Sequence, residues 1–382
     1  MWVSLKARDM TQQRTLERLD YRAAEGTNTK TRRLAYLTAI VSMLGHKSWE
    51  ERGLLARVAQ WSQDHRPDLG AYWVQTGEIT STRRNSAGAR YLHLATNLGL
   101  TAPISGGYRA TRVGLVLFAL IDEKRPNTNP FFLTHAECLF YLYLLLAQDA
   151  DLLLTVTDYL REHPGVALAQ LQRDFQEAFL HRLSQKITLS RDDIVRQSLL
   201  ERRAQVERWR KPERYAEHIV PPRLNWLLDM GFLEPGRFRR HHYFFTEAGR
   251  RFLSELPRLG DSHLRDVSGD WLESGFWTAV ACGSIDREVL MQWDQVDDER
   301  RREVCAPLLK EVFRAFRRTA VPKVSLMQAL LYLSVKLILE EGIVAGPASL
   351  TKWLLASETL DGRRYEVRFS PRENESYLII FA

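Results

Sequence analysis

The chain has 382 residues, 45% hydrophobic and 26% charged, ordinary globular values at a length that suits two or three domains. No stretch reaches the roughly 18 apolar residues that a bilayer span needs, and residues 1–22 are charged and lack the apolar centre of a secretory leader. Cys138, Cys282 and Cys305 lie far apart without paired spacing, which argues against a zinc site or disulfide framework and points to a cytoplasmic chain.

The net charge of +7 is unevenly spread. Residues 1–120 hold 17 Lys or Arg against 9 Asp or Glu, residues 121–260 hold 21 against 19, and residues 261–382 hold 16 against 19. Charge that attracts phosphate is therefore concentrated at the N-terminal end. Of the 54 cations 44 are arginine, the better fork for guanine and phosphate, although a GC-rich genome gives the same bias.

Residues 1–30 read as an arm and loop. Leu34, Leu37, Ile40, Val41 and Leu44 predict a buried helix over 31–44, and Leu54, Leu55, Val58 and Trp61 a second over 49–61. A third spans 79–98, with Tyr91, Leu94, Ala95 and Leu98 inward and Arg90, His93 and Asn97 outward, and with Arg83 and Arg84 near its start. Arginine and asparagine fork to guanine and adenine, so this outer face has the composition of a recognition helix. Gly99 stops the helix, a hairpin carrying Arg109 follows, and Thr111 caps the next helix ahead of Arg112. Residues 124–130 read as a linker.

A helical block then runs from 131 to about 185, broken at His163-Pro164-Gly165, and residues 191–217 read as a mixed-charge surface helix. Pro221-Pro222 opens a second candidate recognition helix over 223–230, with Leu224, Leu227 and Leu228 inward and Arg223, Asn225, Trp226 and Asp229 outward or partly so. Gly231 stops it. The stretch after it, with Arg237, Arg239, Arg240 and His241, is the most basic in the chain and suits a wing on phosphate. Thr246 caps the exit helix. After a linker at 259–262, helices are predicted over 308–318, 325–341 and from Pro347, followed by a hairpin ending in Tyr377 to Phe381.

One pattern therefore occurs twice: a helix ending in glycine, a hairpin, then Tyr-x-x-Thr-x-x-Gly. The copies are Gly99, Tyr108, Thr111, Gly114 and Gly231, Tyr243, Thr246, Gly249. These units, with the Arg-x-x-Trp-Leu helix at Arg223, Trp226 and Leu227, resemble tandem winged-helix DNA-binding proteins of bacteria and archaea. The arrangement is similar to the recognition region of type IIS restriction enzymes, where serial winged helices read DNA and a separate nuclease domain cuts. The resemblance covers roughly residues 30–255, and no nuclease domain follows. It implies a mainly α fold with small β-hairpin wings: two tandem winged-helix domains, and a third in the C-terminal segment, joined by helical segments. The expected divisions are 1–125, 126–260 and 261–382.

No phosphate loop, His-Glu-x-x-His, Cys-x-x-Cys or nuclease carboxylate–lysine set is present in sequence, and no cofactor or metal is expected. His241-His242 suits a phosphate-touching wing better than a metal site. The Asp297-Asp298-Glu299 run reads as a solvated turn. The leading expectation is a non-catalytic subunit that binds double-stranded DNA in a prokaryotic phage-defence, restriction or mobile-element complex. A separate ATPase, helicase or nuclease would dock on the acidic segment 261–382, away from any membrane. The contact set is Arg83, Arg84, Arg90, His93, Asn97, Arg109, Arg112, Arg223, Asn225, Arg237, Arg239, Arg240 and His241. Three alternatives stay open: a winged-helix scaffold with little DNA binding, a transcription regulator, and an enzyme whose carboxylates come together only on folding.

Overall fold

The computed structural model describes residues 19–71, 79, 86–121, 129–236, 241–284, 290–317, 322–357, 359–360 and 362–381. The leucine and isoleucine spacing of the first predicted helix builds α1 (Ala35–Leu44), buried on most of its surface. It is followed by β1 (Ser48–Trp49), α2 (Glu51–Asp64), α3 (Arg66–Ala71) and α4 (Ser86–Asn97). Gly99, at φ 73°, turns the chain out of α4 in the left-handed conformation that glycine adopts without strain. β2 (Thr101–Ile104) and β3 (Gly107–Ala110) form an antiparallel hairpin, with β1 added on β3, and α5 (Arg112–Leu120) leaves it.

The same succession returns. α6 (His135–Glu162) begins at a capping box between Thr134 and Glu137, and its backbone leaves helical geometry at Asp149. α7 (Leu168–Leu189), α8 (Asp193–Glu207) and α9 (Pro212–Asp229) lead to the hairpin of β4 (Leu233–Pro235) and β5 (Tyr243–Phe245), and then to α10 (Glu247–Glu255). Ala167 bridges to His242 beside β5, the place that β1 takes on β3. After α11 (Gly269–Glu273), α12 (Gly275–Ser284) and β6 (Met291–Gln292), the order recurs a third time. It runs through α13 (Asp298–Phe316), β7 (Lys323–Ser325), α14 (Leu326–Lys336), β8 (Ile343–Val344, parallel to β6), α15 (Pro347–Ala356), β9 (Thr359–Leu360), β10 (Arg363–Ser370) and β11 (Glu375–Phe381). Here β7 pairs with β11, so the sheet order β7-β11-β10 repeats β1-β3-β2. The molecule is mainly α with small antiparallel sheets, as the hydrophobic periods predict.

Each Thr-x-x-Gly is a lock between hairpin and exit helix. Thr111 Oγ1 donates to the Gly99 carbonyl and accepts from the Gly114 N–H at 3.0 Å. Thr246 Oγ1 does the same between Gly231 and Gly249, at 2.7 and 3.1 Å. A Cβ on Gly114 would stand 2.1 Å from the Leu100 carbonyl oxygen, and one on Gly249 2.2 Å from that of Phe232. The motif ends in glycine because the helix's first turn lies directly on the preceding backbone.

Three elements differ from their sequence prediction. The 191–217 stretch is two helices, because residues 208–211 turn the chain between α8 and α9. The predicted helix at 223–230 is the buried end of α9, which continues through Pro221 and Pro222; Arg223 and Asn225 turn back onto the carbonyls of Ile219 and Pro221, at 2.7 and 2.6 Å. α13 starts at Asp298, ten residues ahead of Leu308, because Asp297 caps it through the Arg300 N–H. Contrary to the sequence expectation, α6 is by length and composition apolar enough to cross a membrane, yet 83% of its most apolar window is buried within this fold.

Candidate nucleic-acid interface

The expected contact residues divide into those whose side chains hold the fold together and those that are free. Arg223 and Asn225, expected at the interface, are instead buried in the interior and cannot meet DNA. Arg223 forks onto Asp149 through Nε and NH2, at 2.7 and 2.6 Å, where α6 kinks. Burial raises the Asp149 carboxyl above its ordinary value, opposed by the Arg223 charge and by the Ala24 N–H. Asn225 accepts from Arg33 at 2.8 Å, and Arg33 also holds Asp229, whose other oxygen accepts from the Leu34 N–H at 3.0 Å. Trp226 donates to the Thr31 carbonyl at 3.0 Å. Sequence reasoning places these groups outward because a polar residue between leucines suggests a solvent face. The partners that draw them inward, Asp149, Arg33 and residues 24–31, lie 74 or more positions away.

Arg112, which is exposed, and Asn97, which is half-buried, are bonded to other parts of the chain. Asn97 donates to the Glu25 carbonyl, and Gly26 lies so close to the His93 ring that a Cβ there would overlap it. Segment 19–34 thus crosses part of the outer face of α4. Arg112 pairs with Glu375 and donates to the Tyr377 hydroxyl at 2.7 Å, while its carbonyl accepts from Gln328 at 3.0 Å. It fastens the first unit to the third.

Arg90, His93, Arg109 and His241 are exposed. Arg90 and Arg109 have no ion-pair partner among the described residues. Arg109 opens on a cleft of about 590 Å³ between the first hairpin and the C-terminal sheet, which Lys323 and Glu373 also line. Arg83, Arg84, Arg237, Arg239 and Arg240 lie outside the described residues. One exposed cationic group reads in sequence only as part of a mixed-charge surface helix: Arg208, Arg210, Lys211 and Arg214, at the turn from α8 into α9. Its signal in sequence is the density of arginines around Trp209 and Tyr215.

Folding does bring carboxylates and a lysine together, but in a closed place. Lys186 donates to both oxygens of Asp151 at 2.9 and 3.1 Å and stands 3.2 Å from Asp266, all three buried. Backbone covers the cluster: the Arg22 N–H reaches Asp151 at 2.7 Å and the Asp20 carbonyl accepts from Lys186 at 2.9 Å. It neutralises charge inside the fold and offers no opening to a substrate. His242 Nδ1 is bound to the Gly165 carbonyl at 2.6 Å, and burial pushes the Cys305 thiol up to about 12. Among the described residues no group of three or more His, Cys, Asp or Glu side chains is placed to hold a metal ion.

No family model matches the sequence, and no curated protein matches it. A solved structure of restriction endonuclease FokI aligns with 94% of this chain and 63% of that one, at 11% identity and a TM-score of 0.29. The chain therefore spans less than two thirds of that protein's length. A likeness at this level identifies neither a family nor an activity.

Proposed function

We propose that the chain is a non-catalytic double-stranded DNA-binding protein, with its three helix-and-hairpin units acting as winged helices. The observation that carries this reading is the repeated unit itself, with Arg90 on the outer face of α4 and Arg109 on the following hairpin exposed and unpaired among the described residues. A short helix and a hairpin presented side by side, both cationic, suit a groove and its flanking phosphates. Arg208, Arg210, Lys211 and Arg214 supply a second cationic surface in the middle unit. Membership of a prokaryotic restriction, phage-defence or mobile-element complex belongs to the same proposal.

Anisotropy titration of a labelled duplex at several salt concentrations tests it. Affinity should fall steeply as salt rises, and Arg90→Glu with Arg109→Glu should weaken binding about tenfold or more and flatten the slope. Wild-type protein that binds duplex weakly at every salt concentration overturns the reading. A scaffold role is favoured for the third unit alone. α15 presents Leu355 and the last hairpin presents Phe369, each 57% exposed, which suits a protein partner such as an ATPase, helicase or nuclease.

A further inference from the structure

Four aromatic rings stand in file from the core to the surface of the middle unit. Phe175 and Phe179 on α7 are fully buried and stack at 5.8 Å between centroids, 21° apart. Phe179 lies 6.5 Å and 31° from Trp209, in the turn after α8. Trp209 in turn stacks on Tyr215, in the first turn of α9, at 4.6 Å and 9°. Tyr215 ends the column and is 47% exposed. Among the described residues no other ring meets it.

Cations flank Tyr215 along the chain, at the turn from α8 into α9. Arg208, Arg210, Lys211 and Arg214 are exposed, and among the described residues none has an ion-pair partner; Arg208 Nε donates to the Ala204 carbonyl at 2.9 Å. Of the nearby acids, Glu207 is taken by Arg203 at 2.8 Å, which leaves Glu213 and Glu217 against four cations. Pro212 is the first residue of the 18-residue α9, so the positive end of its dipole lies in the same corner.

We propose that this corner stacks an unpaired DNA base on Tyr215, as the fifth ring of the column, with Arg210, Lys211 and Arg214 on the adjoining phosphates. A nearly parallel Trp–Tyr pair presents a flat face whose position is fixed by the buried rings behind it. Flat faces ringed by cations are how proteins hold single strands, because every base has a π face and every nucleotide a phosphate. The preferred ligand is therefore DNA with a single-stranded tail or frayed end. This inference rests on the DNA-binding reading above and names the kind of DNA that the middle unit selects.

The test compares three labelled ligands with the full chain: a blunt duplex, the same duplex with a thymidine tail, and the thymidine strand alone. Wild-type protein should bind the tailed duplex more tightly than the blunt one. Tyr215→Ala should lower affinity for the tailed duplex and the strand about tenfold, as for one lost base–ring stack, and leave the blunt duplex unchanged. Tyr215→Phe, which keeps the ring, should bind as wild type. Tyr215→Leu, which keeps an apolar contact with Trp209 but no π face, should behave like Tyr215→Ala. Equal effects of Tyr215→Ala on all three ligands, or none on the tailed duplex, overturn the proposal. If the strand binds and responds to Tyr215→Ala while blunt duplex does not bind, the stacking corner stands and the duplex reading falls.

Discussion

An arginine's guanidinium forks onto a carboxylate as readily as onto a guanine, and Arg223 does the former. Both of its ends are committed, to Asp149 and to the carbonyls of Ile219 and Ala24, in a site closed to water. Removing one member of such a pair leaves the other charge buried without compensation, at a cost of about 3–5 kcal/mol. Arg223→Ala should therefore lower the urea midpoint markedly. Arg223→Lys should not restore it, because a single ammonium cannot make the two-pronged contact. An Arg223→Ala protein with the wild-type midpoint and weakened DNA binding would return this residue to the interface.

Among the elements, the Thr-x-x-Gly lock sets how each exit helix sits on its hairpin. Gly249→Ala pushes a methyl group against the Phe232 carbonyl and should destabilise by about 1–3 kcal/mol, the usual range for overpacking. Gly114→Ala should do the same against Leu100. At Gly269, the start of α11, an added methyl would meet nothing within 4 Å, so Gly269→Ala serves as the control and is expected near wild type. Thermal melts of the three variants decide the point. Equal melting temperatures for Gly249→Ala and Gly269→Ala would mean that the hairpin yields and the lock is not rigid.

Across the whole molecule, one continuous core runs from Ala24 to Ile380, through the boundaries expected near 125 and 260. Segment 19–34 is held by Asp149, Asp151 and Asp229, and the chain after α10 is held by Arg182, which donates to the Arg265 carbonyl at 2.7 Å. Asp158 accepts from the Arg265 N–H at 3.0 Å, and Arg112 joins the first unit to the third. Deleting residues 261–382 should therefore strip Asp266 from Lys186 and the α12 packing from α10, and lower the melting temperature of what remains. A fragment 1–260 that melts cooperatively at the temperature of the full chain would show that the third unit is separable.

The local pieces are legible in the order of residues: the helical periods, the glycine stops, the threonine caps and the mainly α class. Each rests on interactions within about a dozen residues, and the Thr-x-x-Gly spacing was legible for that reason. Which polar residues are free depends on long-range packing. Arg223, Asn225, Asn97 and Arg112 have the composition of an interface, but their partners lie 72 to 265 positions away in the chain, and a side chain bonded within the fold looks the same in sequence as a free one. The aromatic column was equally hidden, because Phe175, Phe179, Trp209 and Tyr215 become one stack only when α7 packs beside the turn between α8 and α9.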